Sequence, residues 1–322
     1  MSCSVVLCTC NGERFLQEQL ESILAQTVLP SELIISDDTS TDSTTKIIED
    51  FIPVASSAGI AVKYIRQSHL LGVTRNFEFA MRRSTKEIVV LSDQDDVWIP
   101  GKIERVLREF ESPDVVMIAS DAELIDENGV SMGDTLFERL KLTAAERRDI
   151  VRDDLSAIGP NRNLFTGATM AVRRSTMLAA MPLSPEMHHD DWIGQLSWLS
   201  GSCRVIFEPL IKYRLHNENA VGLQDTAVEP LSLSPRRAHL LWQARRLEPI
   251  CERIISQTIN GFLRPERAAL RLRQQHHVLT RLSMPTSFFG RVRLVGVQWG
   301  RGFYNDFHGG WRSAVADIIR PA

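Results

Sequence analysis

Short unbroken apolar runs and stretches of helical spacing take turns along the first third of the chain. Residues 4–8 (SVVLC) are strand-like; after the Asn11-Gly12 turn, Phe15, Leu16, Leu20, Ile23 and Leu24 recur at helical intervals. The unit then repeats. "ELIIS" (32–36) predicts a strand, "DDTSTDST" a loop holding cap residues, and "TKIIEDFI" a helix. "AVKYIR" (61–66) gives a third strand, a turn at Gly72 opens the helix "TRNFEFAMRRS", and "EIVVL" is a fourth strand. Such alternation implies an α/β domain with a Rossmann-like, mostly parallel sheet flanked by helices. Beyond Pro100, "GKIERVLREF" predicts a helix and "VVMIASDAELID" a strand turned by "ENG". Residues 134–163 are polar and give no clear pattern. "LFTGATMAVRR" is strand-like, "DDWIGQLSWLSG" helical, and "CRVIFEPLIKYRLH" strand-like with Pro209 marking an edge or a bend. The Pro- and Ser-rich "TAVEPLSLSPRR" divides residues 1–225 from a C-terminal extension, 226–322.

With 322 residues, 43% of them hydrophobic, the chain can bury a sizeable core. It has no apolar run of about 18 residues, and its N-terminus lacks a basic, cleavable leader, so a cytoplasmic location is expected. Five scattered cysteines, an odd number, suit neither a disulfide framework nor a zinc site. Charge adds more. Residues 236–322 carry 15 Arg, no Lys and 5 acids, a net +10, against −13 for residues 1–235. An arm so basic points to an anionic partner.

In open α/β sheets ligands bind beyond the carboxyl ends of strands. Polar residues collect at three such ends: Thr9, Cys10 and Asn11; Asp37 and Asp38; Asp93, Asp95 and Asp96. No G-x-G-x-x-G or P-loop is present to cradle phosphate. Crowded carboxylates favour a counter-charge, and Mg²⁺ or Mn²⁺ linking Asp95 to a diphosphate would supply one. In extended chain Asp93 and Asp95 project to one side and Asp96 to the other, where it either serves separately or begins the next helical turn. Asp37, Asp38 and Asp42 read as helix caps or, for Asp38, as an acceptor for a nucleoside. "MHHDDW" (187–192) fits a metal site, a capped helix start or a general base; Arg214 and His216 face a phosphate or metal, or belong to a polar loop.

Taken in order, "TCNG…QLESILAQT", "SDDTSTDST", "LGVTRNFEFA", "LSDQDDVW", "FTGATMAVRR", "HDDW" and "YRLHNENAVG" resemble the family-2 nucleotide-sugar glycosyltransferases of the GT-A fold. The branch with bacterial rhamnosyltransferases is the most similar, and the resemblance, over about residues 3–222, implies a nucleotide-binding part of about 1–100 followed by an acceptor part of about 101–225. It implies that Asp38 holds the nucleobase, with Cys8 or Thr9 and Asn11 lining the pocket, and that Arg75 and Asn76 lie beside the donor. Asp93 and Asp95 match the family's D-x-D, with Asp95 the principal Mn²⁺ or Mg²⁺ ligand, Asp93 near the ribose or metal, and His216 approaching the metal or diphosphate. Asp190 would be the catalytic base, with Asp191 a neighbouring candidate. The implied reaction is inverting transfer of a sugar to a glycan or lipid-linked acceptor of a cell-surface polysaccharide. dTDP-rhamnose is the first donor to expect and a UDP-sugar the second. One departure is Cys10, where the family usually has an aromatic residue.

Two other readings compete: a non-catalytic sugar-nucleotide or glycan binder, motivated by Cys10, and a haloacid-dehalogenase-like phosphohydrolase, whose first motif also ends a strand in D-x-D-D. In the basic arm, Trp242, Leu247, Ile250, Ile254 and Ile255 alternate with Arg. That pattern fits a helix lying on anionic lipid at the inner face of the membrane, or one packed on the catalytic domain or on the partner in a homodimer. No nucleic-acid-binding motif accompanies the charge.

Overall fold

The computed structural model describes residues 1–217, 235–257, 262–285, 287–305 and 310–319. The chain forms two compact units, one of Met1–Asp153 with Phe165–Gly222 and one of Asp154–Leu164 with Leu223–Ala322. The expected boundary stretch 226–237 falls mostly outside the described residues.

The first unit holds strands β1 (Cys3–Thr9), β2 (Glu32–Asp37), β3 (Ala61–Arg66), β4 (Ile88–Ser92), β5 (Val97–Trp98), β6 (Val115–Ile125), β7 (Ser131–Thr135), β8 (Met170–Arg173) and β9 (Ser202–Arg214). Its helices are α1 (Leu16–Leu24), α2 (Thr44–Ser57), α3 (Val73–Met81), α4 (Lys102–Glu109), α5 (Leu136–Arg139), α6 (Ala144–Val151), α7 (Arg174–Ala179) and α8 (His189–Ser200). The strands make one sheet in the order β3-β2-β1-β4-β8-β6-β9-β5, with β7 beside β6. From β3 to β4 all pairs are parallel. Every residue of β1, β2 and β4 is buried, as expected of strands covered on both faces. Beyond β4 the sheet is mixed: β8 runs antiparallel to β4 and β6, while β6 and β9 are parallel.

Three sequence readings change. The run 164–174 is a strand only over Met170–Arg173, preceded by a single 3₁₀ turn. The unassigned 134–163 contains the end of β7 and two short helices, each opened by a Thr-Glu capping box. For Pro209 the expected edge or bend narrows to a bend. This residue sits at a register shift in β9, where the bulge spares the ladder the amide that proline lacks.

The second unit is helical: α9 (Pro235–Gln257), α10 (Pro265–Leu282), α11 (Phe288–Gly300) and α12 (Gly310–Ile319). Leu240, Leu247 and Val278 form one apolar cluster, and Val295, Tyr304 and Ala314 another. In α9, Leu247, Ile250 and Ile254 are buried and only Ile255 is exposed, so these residues build this unit's core and are not presented to lipid. The interior also takes polar groups. Arg271 donates to the carbonyls of Ser156 and Leu155, and Asp317 accepts from Arg281 and from the Tyr304 hydroxyl and pairs with Arg236.

Candidate active site

The ends of β1, β2 and β4 converge because parallel strands in register terminate side by side. Gln94 links two of them: its Oε1 accepts from the Thr9 hydroxyl at 2.6 Å and the Cys10 amide at 2.9 Å, and its Nε2 donates to the Cys10 carbonyl. The turn between β1 and α1 fits closely over it. A Cβ on Gly12 would stand 2.6 Å from Gln94 Oε1 and 2.8 Å from Thr9 Oγ1, so only glycine fits unless both side chains shift. Asn11 occupies the left-handed region at φ 50°, and its Oδ1 accepts from the Thr41 amide, joining this turn to the loop after β2. A cavity of about 510 Å³ opens here, lined by Cys10, Asn11, Arg14, Phe15, Gln94 and His216 among others.

The paired aspartates after β2 separate in role. Asp37 is fully buried and accepts from the amide and hydroxyl of Ser40. Asp38, 3% exposed, accepts from the Leu71 amide at 2.7 Å and the Gly72 amide at 2.8 Å. Each carboxylate oxygen keeps a lone pair for another donor. Asp42 accepts from the Thr44 amide at the start of α2, the capping role expected of it.

At the end of β4 the acids meet their surroundings differently. Asp95 Oδ2 lies 2.9 Å from His216 Nε2, across 121 residues of sequence. Burial and the charges of Asp95 and Asp190 push the Asp93 carboxyl up to about 7. Asp96 is buried and does not start a helix. It leads into β5, and its Oδ1 accepts from the Arg214 amide of β9 while Oδ2 has no partner. Burial, then Asp95 and Asp93, raise its carboxyl well above the ordinary range. Lys102, the first residue of α4, is fully buried, donates to the Ala168 carbonyl at 2.8 Å and lies 4.0 Å from the Trp98 ring centroid. Burial pulls its ammonium down to about 7 against the opposing pull of Asp96 and Asp93.

Asp190 stands in the first turn of α8, where an acid suits the helix dipole. Its Oδ2 accepts from the Gly167 amide at 3.1 Å and its Oδ1 from the Asp191 amide. It is partly exposed, whereas Asp191 is 4% exposed, which favours Asp190 as the group that reaches a substrate. Asp190 is near enough to raise both Asp93 and the Tyr213 phenol, so the acids of β4 and α8 share one neighbourhood. His189 beside it is buried, stacks on Phe77 at 4.1 Å, and has neither ring nitrogen hydrogen-bonded.

Several residues singled out from the sequence serve the scaffold. Asn76 is 2% exposed with both ends of its amide paired to Ser36, which fixes α3 on β2. Its neighbour Arg75 is exposed. Cys8 and Thr9 are buried. Arg214 does not face a phosphate: it is 2% exposed and donates to the Asp95 and Glu127 carbonyls and to Glu18. His216 does line the cavity, but residues 218–222 of its motif lie outside the described residues. Sequence reasoning missed Gln94, Lys102, Arg14 and Phe15. The last two follow the Asn-Gly turn directly, and Phe15 brings a ring to the cavity where Cys10 does not.

The acid pair after β2, the Asp95-His216 pair beside the cavity and the Asp190 carboxylate at the start of α8 are the groups that chemistry in this unit has at hand. The chain belongs to glycosyl transferase family 2, whose family model matches residues 4–176. An uncharacterized glycosyltransferase of Nostoc sp. is 28% identical over 226 residues, 68% of this chain and 66% of that protein. One from Haemophilus influenzae is 28% identical over 249 residues, 76% of this chain and 75% of its own length. A dTDP-rhamnosyl transferase, RfbG of Shigella flexneri, is 34% identical over 104 residues, 31% of this chain and 35% of its own. Among solved structures, S. aureus TarS 1-349 in complex with UDP-GlcNAc superposes with TM-score 0.57 at 16% identity, over 95% of this chain and 81% of that one. The mannosyltransferase PcManGT from Pyrobaculum calidifontis, in complex with GDP-Man and Mn²⁺, gives 0.50 at 15%, over 99% and 87%. The fold is that of the GT-A glycosyltransferases. The matched region spans just under two thirds of the Nostoc relative and 58% of an uncharacterized Mycobacterium tuberculosis protein.

Proposed function

We propose that the chain is an inverting, metal-dependent hexosyltransferase that moves rhamnose or a similar hexose from a nucleoside diphosphate sugar to a hydroxyl of a glycan or lipid-linked saccharide. The route would belong to cell-surface polysaccharide synthesis, and the enzyme would act at the cytoplasmic side. The approach of Asp95 and His216 to 2.9 Å beside the cavity carries this reading most directly. Asp95 and His216, which meet in a hydrogen bond here, would hold Mn²⁺ or Mg²⁺ between a carboxylate oxygen and an imidazole nitrogen. Among the described residues no group of three such side chains occurs. A bound ion would offset the charge of the leaving diphosphate.

The chain's own residues supply the rest. Asp190 takes the proton of the acceptor hydroxyl, that oxygen bonds to the anomeric carbon, and the bond from this carbon to the diphosphate breaks on the opposite face. Asp190 is held for this by the Gly167 amide. Asp38 accepts an N–H of the base, Asn11 and Thr9 shape that end of the pocket, and Arg75 stands beside the donor. Arg14, half exposed beside the cavity, is placed to meet phosphate. The partial match to a dTDP-rhamnosyl transferase supports dTDP-rhamnose as first donor, with a UDP-sugar second.

The test is acceptor-dependent release of nucleoside diphosphate from a panel of sugar nucleotides with Mn²⁺ present. Asp190→Asn is expected to lower kcat by about 10²- to 10⁴-fold with donor affinity kept. Activity near that of the parent would overturn the base assignment. Donor binding without transfer to any acceptor would favour the binding-protein reading raised by Cys10.

A further inference from the structure

Surface helices of water-soluble domains turn apolar residues inward and polar ones outward. In the second unit α11 and α12 put Val295 and Ala314 inward but also turn large apolar residues outward. On α11 the inward positions include Arg291 and Gln298, 8% and 3% exposed. Arg291 Nε donates to the Ile318 carbonyl at 2.9 Å, and Gln298 Oε1 is 2.8 Å from His277 Nδ1. Its outward positions are Phe288, Phe289, Val292 and Trp299, exposed by 53, 84, 40 and 44%. On α12 the inward groups are Ala314 and Asp317, and the outward ones are Trp311, Val315 and Ile319, exposed by 62, 44 and 63%. Those three are four residues apart, so they make one stripe. Single exposed apolar residues are ordinary, but two successive helices that share one core and both carry several large apolar residues outward are not.

We propose that the outward faces of α11 and α12 dock on an anionic phospholipid surface, lying in the interface between headgroups and acyl chains. This goes beyond the transfer reaction and does not depend on its donor or acceptor. Charge selects this occupant. Residues 236–322 carry a net +10 through Arg alone, and exposed Arg293 and Arg312 sit among the outward apolar residues. The Arg312 guanidinium lies over Trp311, 5.7 Å from its ring centroid. Lipid of opposite charge neutralises such a surface, whereas a second copy meeting the same face would bring two +10 segments together. Aromatic rings with arginine beside them suit the membrane interface. With 13 and 10 residues the helices are too short to span it, and among the described residues no helix is long and apolar enough to cross.

The experiment is co-sedimentation of the full chain with phosphatidylcholine vesicles with and without phosphatidylglycerol, at low and high salt. Binding is expected only with the anionic lipid and is expected to weaken as salt rises. Phe289→Ser with Trp311→Ser is expected to weaken partition by about tenfold or more. Circular dichroism melting that matches the parent's would show that the exposed positions have not altered the fold. Brominated lipid is expected to quench tryptophan emission in the parent, less so in Trp311→Phe, which gives a second reading without a polar substitution. Absence of binding, binding indifferent to lipid charge, or an unchanged partition in the double variant would each overturn the proposal. Self-association in solution that the double variant abolishes, without vesicle binding, would assign the faces to a second copy and overturn it too.

Discussion

Asp38 shows how one buried side chain can hold a loop. Its two oxygens carry the amides that open α3, so Asp38→Asn turns an NH₂ group toward one N–H and is expected to cost about 1–3 kcal/mol, measured by urea unfolding. Lys102→Met removes a cation whose charge offsets Asp93 and Asp96, together with its bond to the Ala168 carbonyl. A loss of about 3–5 kcal/mol is expected if the pair is ionic, and a much smaller loss would mean that the site is held neutral. Asp93 adds a pH signature. Its carboxyl, at about 7, keeps a proton in the folded chain that the unfolded chain gives up near its ordinary value of 3.8. Folding therefore loses stability as pH rises between those values, and Mn²⁺, competing with that proton, is expected to raise the melting temperature more at pH 8 than at pH 6. The acids themselves were legible from their position after strands. Gln94 was not, because an amide between two aspartates carries no chemical signal. Lys102 did leave one: a cation opening a helix opposes the dipole, and the burial of its ammonium among carboxylates explains why it is there.

Among the elements, strands β1, β2 and β4 were legible almost to the residue, since a strand covered on both faces leaves a continuous apolar run with a polar end. β8 was overread: its apolar neighbours Phe165 and Ala168 are buried by packing and not by pairing in the sheet. Helix α9 misled in the other direction, because its apolar positions, interleaved with Arg, describe core as well as they describe a membrane face. Between α10 and α11, His277 is 1% exposed and bonded to Gln298, and burial first, despite that bond, brings its imidazole down to about 4 from 6.5. The unfolded chain takes up this proton first, so stability falls as pH drops from 6.5 to about 4. The penalty is on the order of 3 kcal/mol, and His277→Gln is expected to flatten that limb in acid titrations of helicity.

At the scale of the molecule, charge and hydropathy locate an arm but not its seams. The segment Asp154–Leu164 lies far from the arm in sequence yet belongs to its unit. Leu155 and Ile158 are buried there, Arg271 and Gln274 donate to Ser156, Arg246 to Gly159, and Gln243 to Asn161. No composition shift marks this stretch, because it accepts largely through backbone carbonyls, which every residue has, with Asn161 accepting through its side chain. The consequence is temporal. On a ribosome these eleven residues emerge well before α9, so their carbonyls must wait in water, and Leu155 and Ile158 stay uncovered until the last third of the chain appears. A product halted near residue 222 would hold that hydrophobic strip open permanently, and it is expected to be captured by chaperones or to aggregate where the full chain stays in solution, as pelleting of the two translation products would show.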